Sequence, residues 1–389
     1  MKEYNDRQIK LISFYLPQFY TFKENDEWWG KGFTEWRNVK KARKLFDWHN
    51  QPQLPLDDYY YELNHNHHET MSWQIAIAKK YGIYGFCFYH YWFKDGKKLL
   101  EVPVEKFLYD KTLDINFCLC WANEHWTRAW DGGDKQIIMP QEYGNEAEWI
   151  KHFYYLLPFF KDKRYMKIDG KPLMIIYRVE LIDEMDRMVD IWNDLANKEG
   201  LPGIQFISQG VIYATMNNKA TKIKRHIMYE PGFTQASYSV RRTNLLKGFF
   251  NDPELFLNIE TQKMKCLVGK LFGFKNAWWN TTLLDYDLIW HNILNRKIKE
   301  SMIPGAFIDW DNSARRGSKG SRIIKGATPE KFNNYMKLLV RKVYKETNED
   351  MIFITAWNEW AEGAHLEPDA KHKFGYLEAL KDALENYNS

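Results

Sequence analysis

The chain has 389 residues, of which 45% are hydrophobic and 27% are charged, so its composition is that of a globular protein with a large core. Its net charge is only +4, and Lys and Arg are scattered among Asp and Glu. This balance argues against a nucleic-acid partner and against binding to a membrane surface. The amino terminus is polar, and no apolar run is long enough for a secretory signal or a membrane span. We therefore expect a cytoplasmic protein with no integral membrane segment.

Cysteine and histidine usage predicts neither a disulfide framework nor a metal site. The spacing of the four cysteines fits no zinc pattern, and Cys118 and Cys120 share one face of a predicted strand, as two small core residues do. Buried free thiols agree with a reducing compartment. The run from His65 to His68 matches no ligand spacing and is interpreted as a solvated loop. No metal and no cofactor is expected.

Apolar runs along the chain predict eight strands separated by helices. The predicted strands cover residues 10–15, 83–89, 115–121, 172–178, 204–209, 226–230, 305–309 and 351–357. The predicted helices cover residues 69–81, 99–108, 146–160, 182–199, 286–300, 329–347 and 375–386, with a weakly patterned one near 215–225. Eightfold strand–helix alternation predicts an α/β protein with a parallel (β/α)8 TIM-type barrel, as a single domain over residues 1–389.

Two connections are too long to be simple loops, one after strand 1 (about 16–68) and one after strand 6 (about 231–285). We expect both insertions to fold over the rim of the barrel, because long structureless loops are uncommon in compact domains. Within the second insertion, residues 245–250, 255–257 and 267–274 are expected to form short helices. An open nucleotide-binding sheet is disfavoured, since no glycine-rich phosphate fingerprint follows an early strand.

Polar and aromatic residues gather where the predicted strands end. Barrel enzymes place their chemistry at those ends, whereas packing alone gives no reason to concentrate such residues there. The candidate substrate-binding residues at these positions are Tyr89, His90, Trp92, Trp121, Asn123, Glu124, Trp126, Tyr177, Glu230, Asp309, Trp357 and Asn358. Glu124 could instead act as a catalytic acid, and Asp309 and Asp311 could be ligands of a cation or of sugar hydroxyls.

The most informative segment follows the last strand, where Glu359 and Glu362 lie among tryptophans. Two carboxyl groups beside indole faces suit work on a carbohydrate, because glycoside cleavage needs one protonated and one ionised carboxyl group. The alternative is a helix amino terminus, where acidic residues are favoured by the dipole alone. After strand 7, the loop with Arg315 and Arg316 could hold a phosphate or carboxylate of the substrate, or could be an ordinary solvated basic loop.

Together these motifs resemble the WbsX-like family, whose members occur with bacterial surface-polysaccharide genes and are often labelled glycosyltransferases. The resemblance covers nearly the whole chain and extends, more distantly, to glycoside hydrolase family 99, the endo-α-mannosidases and endo-α-mannanases. The segments that carry it are 15–19, 28–36, 85–92, 121–126, 310–312 and 358–363. The family 99 motif Asn-Glu-Trp-x-Glu-Gly matches residues 358–363. It implies Glu362 as general acid/base and Glu359 as the base that assists the substrate's own 2-hydroxyl, in a retaining mechanism.

These observations predict a carbohydrate-active enzyme, a retaining α-glycosidase-like barrel that acts on a bacterial polysaccharide or oligosaccharide. One alternative is a glycosyltransferase or transglycosylase in the biosynthesis of a surface polysaccharide such as O-antigen or capsule. Another is a glycan-binding barrel without catalysis, which would require Glu359 and Glu362 to point away from each other. The sequence leaves open the sugar, the linkage, the exo or endo mode and the oligomeric state.

Overall fold

The computed structural model describes residues 8–128, 133–210, 220–240 and 252–387. Its central feature is a parallel sheet of eight strands that forms a nearly closed barrel. The strands are β1 (Lys10–Tyr15), β2 (Ile83–Trp92), β3 (Asn116–Trp121), β4 (Lys171–Ile176), β5 (Gln205–Gly210), β6 (Arg225–Met228), β7 (Met302–Ile303 and Gly305–Phe307) and β8 (Met351–Thr355). The predicted fold class is confirmed.

The barrel closes through β7, which is split in two by Pro304. Its first half pairs with β6 and its second half pairs with β8, so the strand joins the two edges of the sheet. Proline has no N–H to donate to a ladder, which accounts for the break. A Cβ atom at Gly305 would lie only 1.7 Å from the carbonyl oxygen of Met228. The absence of a side chain at Gly305 therefore allows β6 and β7 to approach each other.

Helices form the outer layer of the barrel, and further helices lie within the two long insertions. They are α1 (Lys23–Trp29), α2 (Glu35–Lys41), α3 (His67–Lys80), α4 (Glu101–Tyr109), α5 (Glu146–Phe160), α6 (Met185–Lys198), α7 (Gly232–Val240), α8 (Pro253–Leu271), α9 (Ala277–Asn280), α10 (Tyr286–Asn295), α11 (Ser313–Arg316), α12 (Pro329–Glu346) and α13 (Gly375–Glu385). Within the described ranges, none is long and apolar enough to cross a membrane.

The seven clearly patterned helices are present, with ends shifted by a few residues. The second insertion differs from the prediction, because the two short helices expected at 255–257 and 267–274 lie largely in one helix, α8. Asp252 caps the start of α8, and Pro253 suits its first turn, so the helix continues past the polar residues that separate the two apolar stretches. The predicted helix at 245–250 lies outside the described residues, as do residues 215–219 of the one near 215–225. Residues 220–225 form no helix, and β6 begins at Arg225, so this part of the prediction is wrong.

Side chains alternate along each barrel strand between the interior and the helical layer. Inside the barrel, the ring of Phe14 lies 5.6 Å from Tyr89, 5.2 Å from Tyr229 and 5.6 Å from Phe353. The next residue, Tyr15, points outward and donates a hydrogen bond to Gln74 of α3 over 2.8 Å. The interior aromatic residues thus form a floor beneath the carboxyl ends of the strands.

The first insertion packs directly against the segment that follows β8. Trp36 of α2 lies 5.4 Å from Trp360, centroid to centroid, and donates from its indole nitrogen to the carbonyl of Tyr61 over 2.8 Å. Phe19 packs on the other side of Trp36, at 4.7 Å. This insertion therefore fixes the position of the glutamate-containing motif, although more than 300 residues of sequence separate the two segments.

Candidate active site

After β8 the chain makes a tight hairpin that presents both glutamates of the motif. Asn358–Glu359 pairs antiparallel with Ala364–His365, and Trp360–Glu362 forms one turn of 3-10 helix between them. The side chain of Asn358 is buried and bonds both backbone groups of Leu16, accepting from its N–H at 2.7 Å and donating to its carbonyl at 3.0 Å. Asn358 therefore ties the hairpin to the end of β1 and does not face the substrate.

A second tie joins the hairpin to the loop after β7. The N–H of Asp311 donates to the carbonyl of Glu362 over 2.6 Å. The Asp311 carboxylate accepts from His49 Nε2 at 2.7 Å and from Gln51 at 2.6 Å. Burial would raise the pKa of Asp311, but the hydrogen bonds, led by that from His49, hold it below its usual value. Gly363 has a φ of +64°, in the left-handed region that favours glycine. A Cβ atom added at Gly363 would lie only 3.0 Å from the Cβ atom of Asp311.

Arg315, on the short helix α11, is the centre of the site. Its guanidinium donates from Nε to Glu35 at 2.8 Å, from one terminal nitrogen to Glu362 at 2.6 Å and from the other to Glu359 at 3.1 Å. The side chains are largely removed from solvent, with 14% of Arg315, 0% of Glu35, 7% of Glu359 and 18% of Glu362 exposed. One cation thus holds three carboxyl groups, including both candidate catalytic ones.

The electrostatics of this cluster favour retention of a proton. Burial raises the pKa of Glu359 to about 8, since the attraction of Arg315 only partly offsets desolvation and Glu362 and Glu35 add repulsion. Burial also raises the pKa of Glu35 despite its pairing with Arg315. The same three carboxyl groups keep the pKa of Arg315 above its usual value. At neutral pH the cluster therefore combines a permanent cation with a protonated carboxyl group.

Both glutamates line a cavity of about 450 Å³ at the carboxyl ends of the strands. This volume is typical of a small-molecule site. Seven aromatic side chains line the cavity, those of Trp29, Tyr89, Tyr91, Trp126, Tyr177, Tyr229 and Trp310. Its other polar side chains include Gln18, Glu124, His125, Arg315 and Arg322. Aromatic faces next to carboxyl groups provide platforms for the C–H faces of a sugar ring while polar side chains bind its hydroxyls.

The structure brings six of the predicted site residues to this cavity. They are Tyr89, Glu124, Trp126, Tyr177, Glu359 and Glu362. Glu124 forms an ion pair with Arg178, and burial raises its pKa. Asn123 is not in the wall, but it exchanges two hydrogen bonds of 2.8 Å with the backbone of Arg178 and so joins the ends of β3 and β4 beside Glu124.

His90 and Trp92 were predicted to bind substrate, but they lie on the other face of β2. This strand runs three residues beyond the predicted end, so alternation continues and Tyr91 faces the cavity instead. His90 Nε2 is 2.8 Å from His152 Nε2 on α5, and Trp92 stacks on the same histidine at 4.4 Å. Burial among these rings lowers the pKa of His90 to about 3.

Three more predicted residues also lie outside the cavity wall. Trp121 donates to the carbonyl of Trp92 over 3.1 Å and packs toward α5. The carboxylate of Glu230 accepts from Arg296 at 2.7 Å and from the backbone of Thr234 at 3.0 Å. Trp357 is buried against Phe86, 5.1 Å away. Each of these residues makes structural contacts near the end of a strand. Residues that line the cavity also lie at strand ends, so position in the sequence alone could not distinguish the two kinds.

Asp309 lies in a second, smaller cavity of about 250 Å³ on the helical side of β7. Burial raises its pKa to about 7. Asp311 faces the same cavity but is already bound by His49 and Gln51. Within the part of the chain that the structure describes, no group of three or more His, Cys, Asp and Glu residues is arranged to hold a metal ion.

Sequence reasoning missed Glu35 and did not assign Arg315 to the glutamates. For Arg315 it left two alternatives, a substrate anion site and a solvated loop, and the structure shows neither as its principal role. Glu35 lies within the 28–36 motif that carried the family resemblance, which was the available signal. Tyr229 and Gln18 are at strand ends and could have been found there, whereas Tyr91 required the true length of β2.

The fold is a barrel with a carboxyl-lined, aromatic-walled cavity at the carboxyl ends of its strands, and comparison with known proteins gives the family. Residues 11–380 match the family described as Glycosyltransferase WbsX, and the chain belongs to this family. It is 33% identical over 377 residues to the "uncharacterized protein WxcX" of two strains of Xanthomonas campestris pv. campestris. The match covers 96% of this chain and 49% of each relative, so the chain spans about half the length of these relatives.

Among solved structures, the chain is similar to the GH99 endo-alpha-mannosidase from Bacteroides thetaiotaomicron in complex with bis-tris-propane, with a TM-score of 0.51 and 14% identity. That alignment covers 97% of this chain and 96% of the mannosidase. A "glycoside hydrolase-like protein" aligns with a TM-score of 0.55 and 11% identity, over 98% of this chain and 95% of the other. At such low identity these similarities show the barrel fold, in agreement with the predicted family 99-like architecture.

Proposed function

We propose that this chain is a retaining α-glycosidase-like enzyme that acts on a bacterial oligosaccharide or polysaccharide. The observation that carries the proposal is the convergence of Glu359 and Glu362 on one guanidinium at the wall of an aromatic cavity. Retaining cleavage needs two carboxyl groups that act on the same glycosidic bond in different protonation states. A buried pair beside a fixed cation supplies that difference.

In the proposed mechanism Glu362 protonates the glycosidic oxygen as its bond to the anomeric carbon breaks, and Glu359 removes the proton of the substrate's 2-hydroxyl, whose oxygen forms the new bond to that carbon. Water then opens the resulting 1,2-anhydro sugar, with Glu362 taking the proton of the water and Glu359 returning a proton to the 2-oxygen. Because burial raises the pKa of Glu359 to about 8, only the fraction of Glu359 that is ionised at neutral pH can act, and that form is a stronger base than an ordinary carboxylate. Arg315 positions both groups and keeps a positive charge next to them while a proton moves. The aromatic wall would hold the sugar ring, and Glu124 would bind a hydroxyl.

A glycan-binding barrel without catalysis is less well supported. That alternative required the two glutamates to point away from each other, whereas both point at Arg315 and both line the cavity.

A glycosyl-transferring activity is the second candidate, and the family name favours it. The described sheet is a barrel and not the doubly wound sheet that binds nucleotides, which argues against a sugar nucleotide as the donor. Transglycosylation uses the same two carboxyl groups, with a sugar hydroxyl in place of water as the acceptor. It therefore fits both the site and the family name.

The test is incubation of the protein with mannosides and with acidic oligosaccharides, with and without sugar nucleotides, and proton NMR of the first product. The expected result is turnover without a sugar nucleotide, a first product of retained anomeric configuration, and no turnover by the Glu359→Gln variant. A first product of inverted configuration would eliminate the mechanism. Turnover only with a sugar nucleotide would replace it with nucleotide-dependent transfer.

A further inference from the structure

The second insertion carries a surface that the proposed catalysis does not use. In the carboxyl-terminal half of α8 and the turn after it, large apolar side chains project into solvent, and Leu271 and Phe272 are 73% and 71% exposed. We call this surface the apolar patch. It consists of Met264, Leu267, Leu271, Phe272, Phe274 and Trp278. A concentration of exposed apolar residues on one short segment marks an interaction site rather than ordinary surface variation.

Part of the patch lies on one face of α8, and a different face of the same helix packs against the rest of the protein. Met264, Leu267 and Leu271 are spaced by three and four residues, so they form a single stripe along α8. The buried residues of the helix, Leu255 and Ile259 among them, lie on the side that faces the protein. At Gly269 the helix approaches Trp279 so closely that an added Cβ would lie 2.6 Å from the Trp279 Cβ. The stripe is therefore held outward by a packed helix.

The charges within the patch are predominantly positive, and the carboxylate nearest to it in sequence, Glu260, pairs with Lys263 over 2.6 Å. Lys263, Lys265, Lys270 and Lys275 are interleaved with the apolar residues, and no Asp or Glu occurs between residues 261 and 284. The Lys265 ammonium lies 4.5 Å from the centre of the Trp278 ring. The balanced charge of the whole chain, +4 over 389 residues, hides this local excess.

We propose that the apolar patch binds the surface of an anionic lipid bilayer. Helices with Leu, Phe and Trp on one side and lysines beside them lie in the plane of the interface, with the apolar side chains at the headgroup boundary and the cations on anionic headgroups. Aromatic residues favour the same boundary. The patch has each of these features on a helix whose other face is already packed.

A second copy of this chain is the less suitable occupant. A symmetric dimer through the patch would bring the same surface of both copies together, and hence the same lysines. Apart from Lys263, which pairs with Glu260, these lysines would have no carboxylate within residues 261–284 to offset their charge. An anionic bilayer satisfies the lysines and the apolar stripe at once.

Binding through the patch would also orient the candidate active site. The turn after α8 leads into the short strand Thr282–Asp285, which pairs with Arg322–Lys325. Arg322, in that second strand, lines the cavity that holds the glutamates. The patch and the cavity are therefore linked by a two-stranded ladder, and a bilayer-bound protein would present its cavity in a fixed orientation to glycans at the lipid surface.

The experiment is flotation of the whole chain with vesicles of phosphatidylcholine, alone or mixed with phosphatidylglycerol. The wild type is expected to float with the mixed vesicles, to be released by salt, and to stay unbound to phosphatidylcholine alone. Leu267→Glu, and separately the pair Lys270→Glu and Lys275→Glu, should weaken binding roughly tenfold or more. Leu338→Glu on α12 is the matched control, since Leu338 and Leu267 are both 50% exposed, and it should bind as the wild type does.

Three results would overturn the proposal. The first is no flotation with either vesicle, and the second is equal binding to both vesicles or equal loss in the Leu338→Glu control. The third is self-association in sedimentation velocity that Leu267→Glu abolishes, which would assign the patch to a second copy. Flotation requires no glycan and none of the site carboxyl groups, so its outcome is independent of the proposed catalytic function.

Discussion

Two groups of buried carboxyl side chains lie in the segment after β8 and differ in what neutralises them. Glu359 and Glu362 share the guanidinium of Arg315 with Glu35. Glu367, a few residues further along the chain, is bound by neutral donors, with no cation among its hydrogen-bond partners in the described residues. Its oxygens accept from Trp360 at 2.6 Å, Gln74 at 2.6 Å and Tyr61 at 2.9 Å.

The pKa of both Glu359 and Glu367 is raised by burial, to about 8 and about 7 respectively. A raised pKa alone therefore does not distinguish a reacting group from a structural one in this protein. Access does, because the cavity reaches Glu359 but its wall does not include Glu367. The charge of the partner also differs, since a cation beside Glu359 stabilises the ionised form that a base needs, whereas the donors of Glu367 are neutral.

The largest effects are expected from Glu359→Gln and Glu362→Gln. Each amide keeps the shape but cannot exchange a proton, so each variant should lose at least about 10²–10⁴-fold in kcat while remaining folded by circular dichroism. The two variants should differ on substrates with activated leaving groups. Glu362→Gln should recover part of its rate there, because such groups need little protonation, and Glu359→Gln should not. If activated leaving groups restored the rates of both variants equally, the assignment of Glu362 as acid and Glu359 as base would be wrong.

Removal of the shared cation should cost the most stability. Arg315→Met leaves three buried carboxyl groups without their partner, and breaking a buried ion pair in this way costs about 3–5 kcal/mol. Urea unfolding measures it, with Arg315→Lys as the control that keeps the charge but loses the forked geometry. The loss should grow with pH, as the carboxyl groups ionise. An Arg315→Met protein as stable as the wild type at alkaline pH would contradict the arrangement around Arg315.

Glu367→Gln should separate stability from catalysis. The amide nitrogen of Gln would replace one of the two carboxyl oxygens, so one of the three donors would lose its acceptor. A buried donor without an acceptor lowers the free energy of unfolding by about 1–3 kcal/mol. The unfolding midpoint should fall while kcat of the folded enzyme stays near that of the wild type. A fully folded Glu367→Gln protein without activity would make Glu367 part of the chemistry and would end the contrast between the two groups.

The smallest effects concern pH. A carboxyl group whose folded pKa is raised contributes stability that is fully present below its unfolded pKa and is lost as pH rises through its folded pKa. Melting temperatures should therefore decline through about 7 and about 8, because the pKa of Glu367 and of Glu359 is raised to those values by burial. Both contributions decline from the ordinary carboxyl pKa upward, so Glu367→Gln should remove the part of the decline that ends near 7 and Glu359→Gln the part that ends near 8, while the exposed control Glu300→Gln should remove neither.

The same value predicts the pH profile of activity. If Glu359 is the base, kcat/KM should rise with pH up to about 8, because burial raises its pKa and only its ionised form can accept a proton. A fall of kcat/KM through that range would instead make Glu359 the acid and would reverse the roles of the two glutamates.

Strand–helix alternation was sufficient to predict the barrel, because each unit follows a local periodicity that a sequence displays. The cavity wall depends on which face each strand-end residue occupies, and that depends on where a strand ends. The extension of β2 from the predicted residue 89 to Trp92 placed Tyr91 in the cavity and His90 outside it. Arg315 and Glu35 meet across 280 positions of sequence, and no local pattern reveals such a pairing.

The contacts of Arg315 also have a consequence for folding. Its partners come from an early and a late part of the chain, at Glu35 and at Glu359 and Glu362. Loop closure over such separations is slow, so we expect this cluster to form among the last steps of folding. Until the segment after β8 docks, Arg315 lacks two of its three carboxyl partners. The reacting groups would thus come together only in a completed barrel, and partly folded chains would carry an open, protease-sensitive rim instead of an active one.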